Sequence, residues 1–236
     1  MKLRHIIKWT KWIFLSFLLF SIIQVIVLRF IPVKYPANIV WYSLGKKLQG
    51  KEATYHHRWI PKEEMPDTVR MVAVAAEDIF FMKHHGFDFF QIMVAIAESK
   101  EGKPLRGAST ISQQTAKNVF LWHGRSYFRK LLEAYYTILI ELIWGKERIL
   151  EVYLNVVQTG KNTFGIAAIS ENHFHKPAKD LNSNEAAWII TILPNPVLYD
   201  LSNPSESLQE RQKIIIQRIP CFDPTTLKLN ENVLDR

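Results

Sequence analysis

From Trp12 to Leu28 the chain reads W-I-F-L-S-F-L-L-F-S-I-I-Q-V-I-V-L, and no other feature narrows its fold so much. Only Ser16, Ser21 and Gln24 interrupt the run, it shows no amphipathic period, and Lys2, Arg4, Lys8 and Lys11 precede it. Backbone in hydrocarbon must satisfy its own N–H and C=O groups, so such a run is a helix. With Phe30 and Ile31 extending it and Arg29 able to snorkel to the headgroups, the span approaches the roughly 20 residues that a bilayer core requires. A cleaved signal peptide would need a small-x-small site, whereas R-F-I-P-V-K-Y-P follows Leu28. The sequence therefore predicts a basic tail over 1–11, one uncleaved transmembrane helix over 12–31, a membrane-proximal linker over 32–58 and a globular domain over 59–236. The basic residues before the span favour a cytoplasmic N-terminus and a domain on the outer side, an asymmetry that Lys34, Lys46, Lys47 and Lys51 reduce.

The 236 residues are 48% hydrophobic and include 7 Trp and 14 Phe, enough for a large core, which excludes a disordered or collagen-like chain. A lone cysteine, Cys221, forms no internal disulfide and is silent on compartment. Lys and Arg outnumber Asp and Glu by 30 to 22, and the resulting +8 fits a polyanionic partner: nucleic acid, an anionic membrane or a phosphate-bearing substrate.

After the linker, long apolar segments alternate with Gly, Pro and Asn punctuation, predicting a mainly α domain. Val69 to Phe81 and Phe87 to Ser99 read as buried helices. Residues 100–108 form a loop carrying Lys100, Lys103 and Arg106. Thr110-x-x-Gln113 matches a capping box that opens a helix through Asn118. Further helices are predicted from Ser126 to Gly145 (its C-cap), Lys146 to Val156, Ile166 to Lys176, Asn184 to Leu193 and Ser205 to Ile219.

Two acids sit where a core helix would not want them. Glu77 and Asp78 end the run V-R-M-V-A-V-A-A, where a charge is costly unless paired or left in a cleft. Such a carboxylate is either bonded to nearby backbone or a histidine, or has its pKa lifted by apolar neighbours so that it takes a proton near neutrality. If the helix continues, Phe81 and His84 share the face of Glu77. Glu133 lies in a polar stripe with Lys130 and Thr137, and Arg129 and Lys130 could simply neutralise it. Two such acids beside basic residues favour acid/base work on a glycosidic or phosphate-ester bond. Between them, G-A-S-T-I-S-Q-Q-T-A-K-N (107–118) offers Ser109, Gln113, Gln114 and Lys117 at a helix start, with Arg106, Arg125, Arg129 and Lys130 nearby, which together read as a phosphate site. The His84-His85, His56-His57 and His173-x-His175 pairs lack metal-ligand spacing, so no structural metal is expected. Ser43-x-x-Lys46 and Ser170-Glu171-Asn172 lack the third motif of penicillin-binding enzymes.

At these residues the sequence resembles the glycosyltransferase domain that polymerises peptidoglycan from lipid II. The matching segments, in order, are Glu77-Asp-x-x-Phe81-x-x-His84-x-Gly-Phe-Asp88, Gly107-Ala-Ser-Thr-Ile-Ser-Gln-Gln114-x-x-Lys117-Asn, Arg129-Lys-x-x-Glu133-Ala, Lys146-x-x-Ile-Leu-Glu-x-Tyr-Leu-Asn155, and Gly165-Ile through Phe174-x-Lys176. Leu193-Pro-Asn-Pro196 fits as well, and the likeness runs from about Trp59 to Tyr199. The chain is most similar to the monofunctional biosynthetic transglycosylases. The resemblance implies a lysozyme-like, mainly helical fold with a smaller membrane-proximal lobe. It implies Glu77 as the general base that deprotonates the acceptor 4-hydroxyl, with inversion and loss of undecaprenyl pyrophosphate. Glu133 would lie near that pyrophosphate, directly or through a bound cation, with Lys117, Arg125, Arg129, Lys130 and Lys176 offsetting its charge. Asp78, Phe81, His84, Ser109, Gln113 and Gln114 would contact substrate. No cofactor is required, though a divalent cation fits some members. The implied partners are lipid II, the growing strand, the membrane and other cell-wall synthesis or division proteins, with no nucleic acid. The implied site of action is the outer face of a bacterial inner membrane, reached by a single pass. His173 departs from the aromatic pair usual before the last lysine. Two rivals remain: a lysozyme-like glycan-cleaving enzyme, and a non-catalytic membrane-anchored cell-wall binding protein.

Overall fold

Side chains that accept from free backbone N–H groups cap five of the ten α-helices found among the described residues. A computed structural model describes residues 2–102, 107–124, 126–221 and 227. Among these residues, α1 (Lys2–Phe30), α2 (Ala37–Leu48), α3 (Asp67–Glu77), α4 (Phe89–Lys100) and α5 (Ile111–Phe120) come first. They are followed by α6 (Tyr127–Ile143), α7 (Lys146–Val156), α8 (Ile166–Phe174), α9 (Ser183–Ile192) and α10 (Glu206–Arg218). Thr110 with Gln113, and Asn182 with Glu185, form capping boxes for α5 and α9. Asp88, Ser126 and Ser205 cap α4, α6 and α10. Two residues each of β1 (His56–His57) and β2 (Thr163–Phe164) pair in parallel, His56 opposite Thr163.

Helix α3 is the core element: Thr68, Val69 and Met71 through Ala75 are buried. It packs on α9, equally apolar from Ala186 to Ile192, and α10 covers both, while α5 packs between α6 and α7. Asn155, 1% exposed, ties the segment before α3 to α7: its amide donates to Ile60 O and Glu151 O, and its oxygen accepts from Ile60 N. Buried polar groups need such full pairing.

Several expectations are corrected. The helix predicted to reach Phe81 stops at Glu77, because Asp78 leaves helical geometry (φ −160°, ψ 72°) to reach other partners. Glu77, Phe81 and His84 therefore share no helix face. Helix α4 is not buried; only Ala95 is, and Phe89, Phe90, Met93 and Ile96 face outward. Residues 32–58 contain α2, whose Pro36 N-cap has no side-chain cap and whose stability comes from packing on α5 and from Asn38 donating to Val156 O at 2.7 Å. Trp144 takes the C-cap of α6, and Gly145 instead precedes α7 with φ +75°.

Helix α1 begins well before the predicted span, and His5–Phe30 is long and apolar enough to cross a membrane. Its C-terminal half is seated on the domain. Ser21 Oγ and Tyr135 OH lie 2.6 Å apart, the Trp144 indole donates to Val25 O at 2.7 Å, and Arg148 donates to Leu28 O and Ile31 O. The Arg148 bonds satisfy carbonyls at and just beyond the helix end, where intrahelical donors run out.

Two glycines give contrasting expectations. Gly165 has φ +81°, and an added Cβ would lie 2.4 Å from Asn155 O, whereas Gly45 in α2 meets open space. Gly165→Ala is expected to destabilise by at least about 3 kcal/mol and Gly45→Ala to stabilise by roughly 0.5–1 kcal/mol, measured as thermal unfolding in detergent.

Candidate active site

Asp78 and Glu77 are neighbours with different surroundings. The Asp78 carboxylate accepts from Ile111 N at 2.9 Å, at the start of α5, and from His84 Nε2 at 2.9 and 3.0 Å. Gly86 N donates to His84 Nδ1 at 3.1 Å, so Nε2 carries the proton given to Asp78. Thr110 Oγ1 closes the turn by donating to Gly86 O at 2.7 Å. An anionic group beside free N–H groups at a helix start is favourable.

Glu77 stands at the C-terminal end of α3 with its side chain 12% exposed. Its Oε2 accepts from Gln114 Nε2 at 3.1 Å and its Oε1 from Arg211 Nη2 at 3.3 Å. Burial raises its pKa above the usual carboxylate value, and Asp78 adds to the rise, against the opposing pull of Gln114, Arg211 and Lys117. A carboxylate at a helix C-terminus is further disfavoured by the helix dipole.

Glu133, 2% exposed, is gripped from both sides: Arg129 Nη1 donates to Oε2 at 2.7 Å and Lys130 Nζ to Oε1. Lys130 also reaches Ser109 Oγ at 3.4 Å. A divalent ion at Glu133 would have to displace one of these cations, so the donor set does not fit a bound cation there. No group of three His, Cys, Asp or Glu side chains able to hold a metal occurs among the described residues. Lys117 feels the charges of both Glu133 and Glu77, and burial lowers its pKa, with Arg129 and Lys130 adding to the fall. Its ammonium has no hydrogen bond or ion pair among the described residues. Arg129 Nε is likewise buried without a partner among them.

Two clefts meet at the Glu77–Gln114 bond. One, of about 510 Å³, is lined by Glu77, Asp78, Asp88, Gln91, Glu98, Ser109, Thr110 and Arg218 among others. The second, of about 480 Å³, is lined by Gln114, Lys117, Asn118, Trp122, His123, Arg129 and residues of 193–196 among others. The first is acid-lined and the second carries the cations, so an anion belongs in the second and a proton acceptor faces the first.

The fold thus brings together Glu77, Asp78, Ser109, Gln114, Lys117, Arg129, Lys130 and Glu133. Others sit elsewhere or serve the scaffold. Phe81 is fully buried in the core, with the Lys146 ammonium 4.5 Å from its ring centre, and has no surface for a substrate. The His84 side chain is 8% exposed and is committed to Asp78. Gln113 uses its oxygen to accept from Thr110 N at 3.0 Å in the capping box. Lys176 pairs with Glu185 at 2.6 Å. Arg125 lies outside the described residues, as do Lys103 and Arg106. The sequence gives no site role to Arg211, Arg218 or Tyr153, the last of which stands only within the matching segment Lys146 to Asn155. Arg211 and Arg218 stand on the last helix, far along the chain, and a buried tyrosine on an apolar helix carries no signal of its own.

A sequence model of a family described as Transglycosylase matches residues 45–220, a longer span than the motifs alone delimit. A protein of Pasteurella multocida named "Biosynthetic peptidoglycan transglycosylase" is 41% identical over 203 residues, covering 86% of this chain and 82% of its own. One of the same name from Bacteroides thetaiotaomicron is 40% identical over 229 residues, covering 96% of this chain and 92% of its own. A third, from Bdellovibrio bacteriovorus, is 43% identical over 212 residues, covering 89% and 85%. The matched span contains every residue of the two clefts named above except Asn38, which lines the second, and on this ground the chain belongs to the transglycosylase family.

Proposed function

We propose that the protein polymerises lipid II into glycan strands, with Glu77 as the base that takes the proton from the acceptor 4-hydroxyl. That oxygen attacks the anomeric carbon of the growing strand, and undecaprenyl pyrophosphate leaves with inversion. The observation that carries the reading is the pairing of a desolvated, raised-pKa carboxylate with an adjoining cleft whose Lys117 ammonium and Arg129 Nε lack partners among the described residues. A base is most useful when its pKa lies near the working pH, and burial moves Glu77 in that direction. A leaving diphosphate supplies the missing partners of Lys117 and Arg129, where desolvation makes each contact count for more. In this reading Glu133 holds Arg129 and Lys130 in place and acts on the leaving group through them.

The same reading sets the protein in a bacterial inner membrane by its single apolar helix, with the clefts on the outer side. Exposed apolar residues support a membrane-facing surface: Phe89, Phe90, Met93 and Ile96 on α4, and Tyr127, Phe128, Leu131, Ile138 and Leu142 on α6, the helix that seats α1. Patches of this kind on a soluble surface are a liability, and a lipid-linked substrate gives them a use. Other cell-wall synthesis or division proteins are natural partners in that setting.

Glu77→Gln is expected to lower polymerisation of labelled lipid II by about 10²–10⁴-fold. Because the wild-type carboxyl is driven toward its neutral form, the same change should leave thermal stability at neutral pH no lower. Release of muropeptides from purified sacculi without any polymer from lipid II would instead favour the cleaving enzyme. In the wild type the acidic limb of kcat/KM should lie above the ordinary carboxylate range, since Glu77 must lose its proton to act. Lys117→Met should cut kcat/KM by about 10²-fold while keeping or raising the unfolding temperature, because a buried unpaired ammonium is removed. Unfolding ahead of the activity loss would assign Lys117 to the scaffold.

A further inference from the structure

Glu77 is held at both oxygens, and one of the two bonds depends on which way round an amide sits. Gln114 presents Nε2 to Glu77 Oε2 at 3.1 Å. The opposite orientation would set the amide oxygen against the carboxylate, acceptor against acceptor. The side chain that decides lies on α7. Tyr153 OH donates to Gln114 Oε1 at 3.4 Å, and Tyr153 is fully buried, with no other hydrogen-bond partner among the described residues. Burial, reinforced by the charges of Glu77 and Asp78, holds its phenol well above the ordinary tyrosine value, so the hydroxyl keeps its proton and remains a donor.

We propose that Tyr153 is a positioning residue for the base: by donating to Gln114 Oε1 it fixes the amide with Nε2 toward Glu77. The role rests on the reading of Glu77 as the base. Tyr153 touches no cleft and acts only through Gln114, so the order is α7 to α5 to α3. The charged groups facing Glu77 or its cleft are Arg211 and Arg218 from α10, Lys117 from α5, Asp78 beside it, and Asp88 and Glu98 from the α4 side. None of them is altered by deleting the Tyr153 hydroxyl. Loss of the amide donor removes a bond made to the ionised carboxylate, so the Glu77 pKa must rise further and the acidic limb of activity must move to higher pH.

The test is a titration of Glu77 in the full-length protein in detergent, with ¹³C-labelled glutamate carboxyls and the Glu77→Gln spectrum identifying the signal. Tyr153→Phe is expected to raise the Glu77 pKa by about one unit. The acidic limb of kcat/KM should shift in step, with the rate above both midpoints within about twofold of wild type. Gln114→Leu should give the same rise, and the Tyr153→Phe/Gln114→Leu double variant no more than Gln114→Leu alone. An unshifted Glu77 titration in Tyr153→Phe, a rate loss equal at every pH, or summed shifts in the double variant would each overturn the proposal. If Tyr153→Phe does not fold, an unshifted titration in Gln114→Leu overturns it as well. Polymerisation surviving in Glu77→Gln would retire the base and this role together, whereas an unshifted titration with Glu77→Gln inactive would retire the role alone.

Discussion

The Asp78 carboxylate joins the two helices on which the clefts depend. It accepts from the first N–H of α5 and from His84, and to do so it must leave the geometry of α3. A buried carboxylate is tolerable only when paired, and the positive end of a helix is a good partner. Once Asp78 is satisfied there, Glu77 becomes the last residue of α3, at the unfavourable end of that helix dipole and at the junction of the two clefts. His84, Gly86 and Thr110 lock the turn between them through a chain of bonds from ring nitrogen to backbone to hydroxyl. Two adjacent acids thereby acquire different surroundings, one bonded to a helix start and a histidine, the other desolvated beside a cleft.

Around Glu133 the balance of charge has the opposite sense. One carboxylate faces Arg129 and Lys130, with Lys117 close enough to feel all three. The excess is positive and partly buried, which a stable fold has no reason to keep unless an anion arrives. A diphosphate fits this excess in charge and in hydrogen-bonding capacity. The two clefts meet at one amide, so Gln114 ties the Glu77 carboxyl of the first to the cation-lined second.

The apolar N-terminal helix is seated on this assembly rather than tethered to it. Contacts from Tyr135, Trp144 and Arg148 spread along its C-terminal half, from Ser21 to Leu28, and reach Ile31 just beyond it. Arg148 also lies 5.1 Å from the Trp59 ring centre, linking the end of α1 to the segment before α3. These contacts fix α1 against α6 and α7, the helices that flank α5.

Local chemistry made much of this protein legible before any fold was known. The apolar run, the Thr110–Gln113 capping box, the Pro and Gly stops and the acid at the end of a greasy helix are short-range signals, because propensity, capping and hydropathy act within a few residues. The residues around Glu77, Lys117, Arg129 and Glu133 were readable for the same reason: charge on an apolar face is anomalous wherever it occurs. Tertiary structure alone decided what each anomaly does. It stopped α3 at Glu77 through a bond from α5, formed α2 without a cap by packing, buried Phe81 in the core, and set His84, Gln113 and Lys176 against Asp78, Thr110 and Glu185. It also brought Arg211 from α10 to Glu77 and Tyr153 from α7 to Gln114. Those partners are 134 and 39 residues apart in the chain, and a hydrogen bond between distant residues leaves no periodic trace in sequence, since only the folded backbone sets their separation.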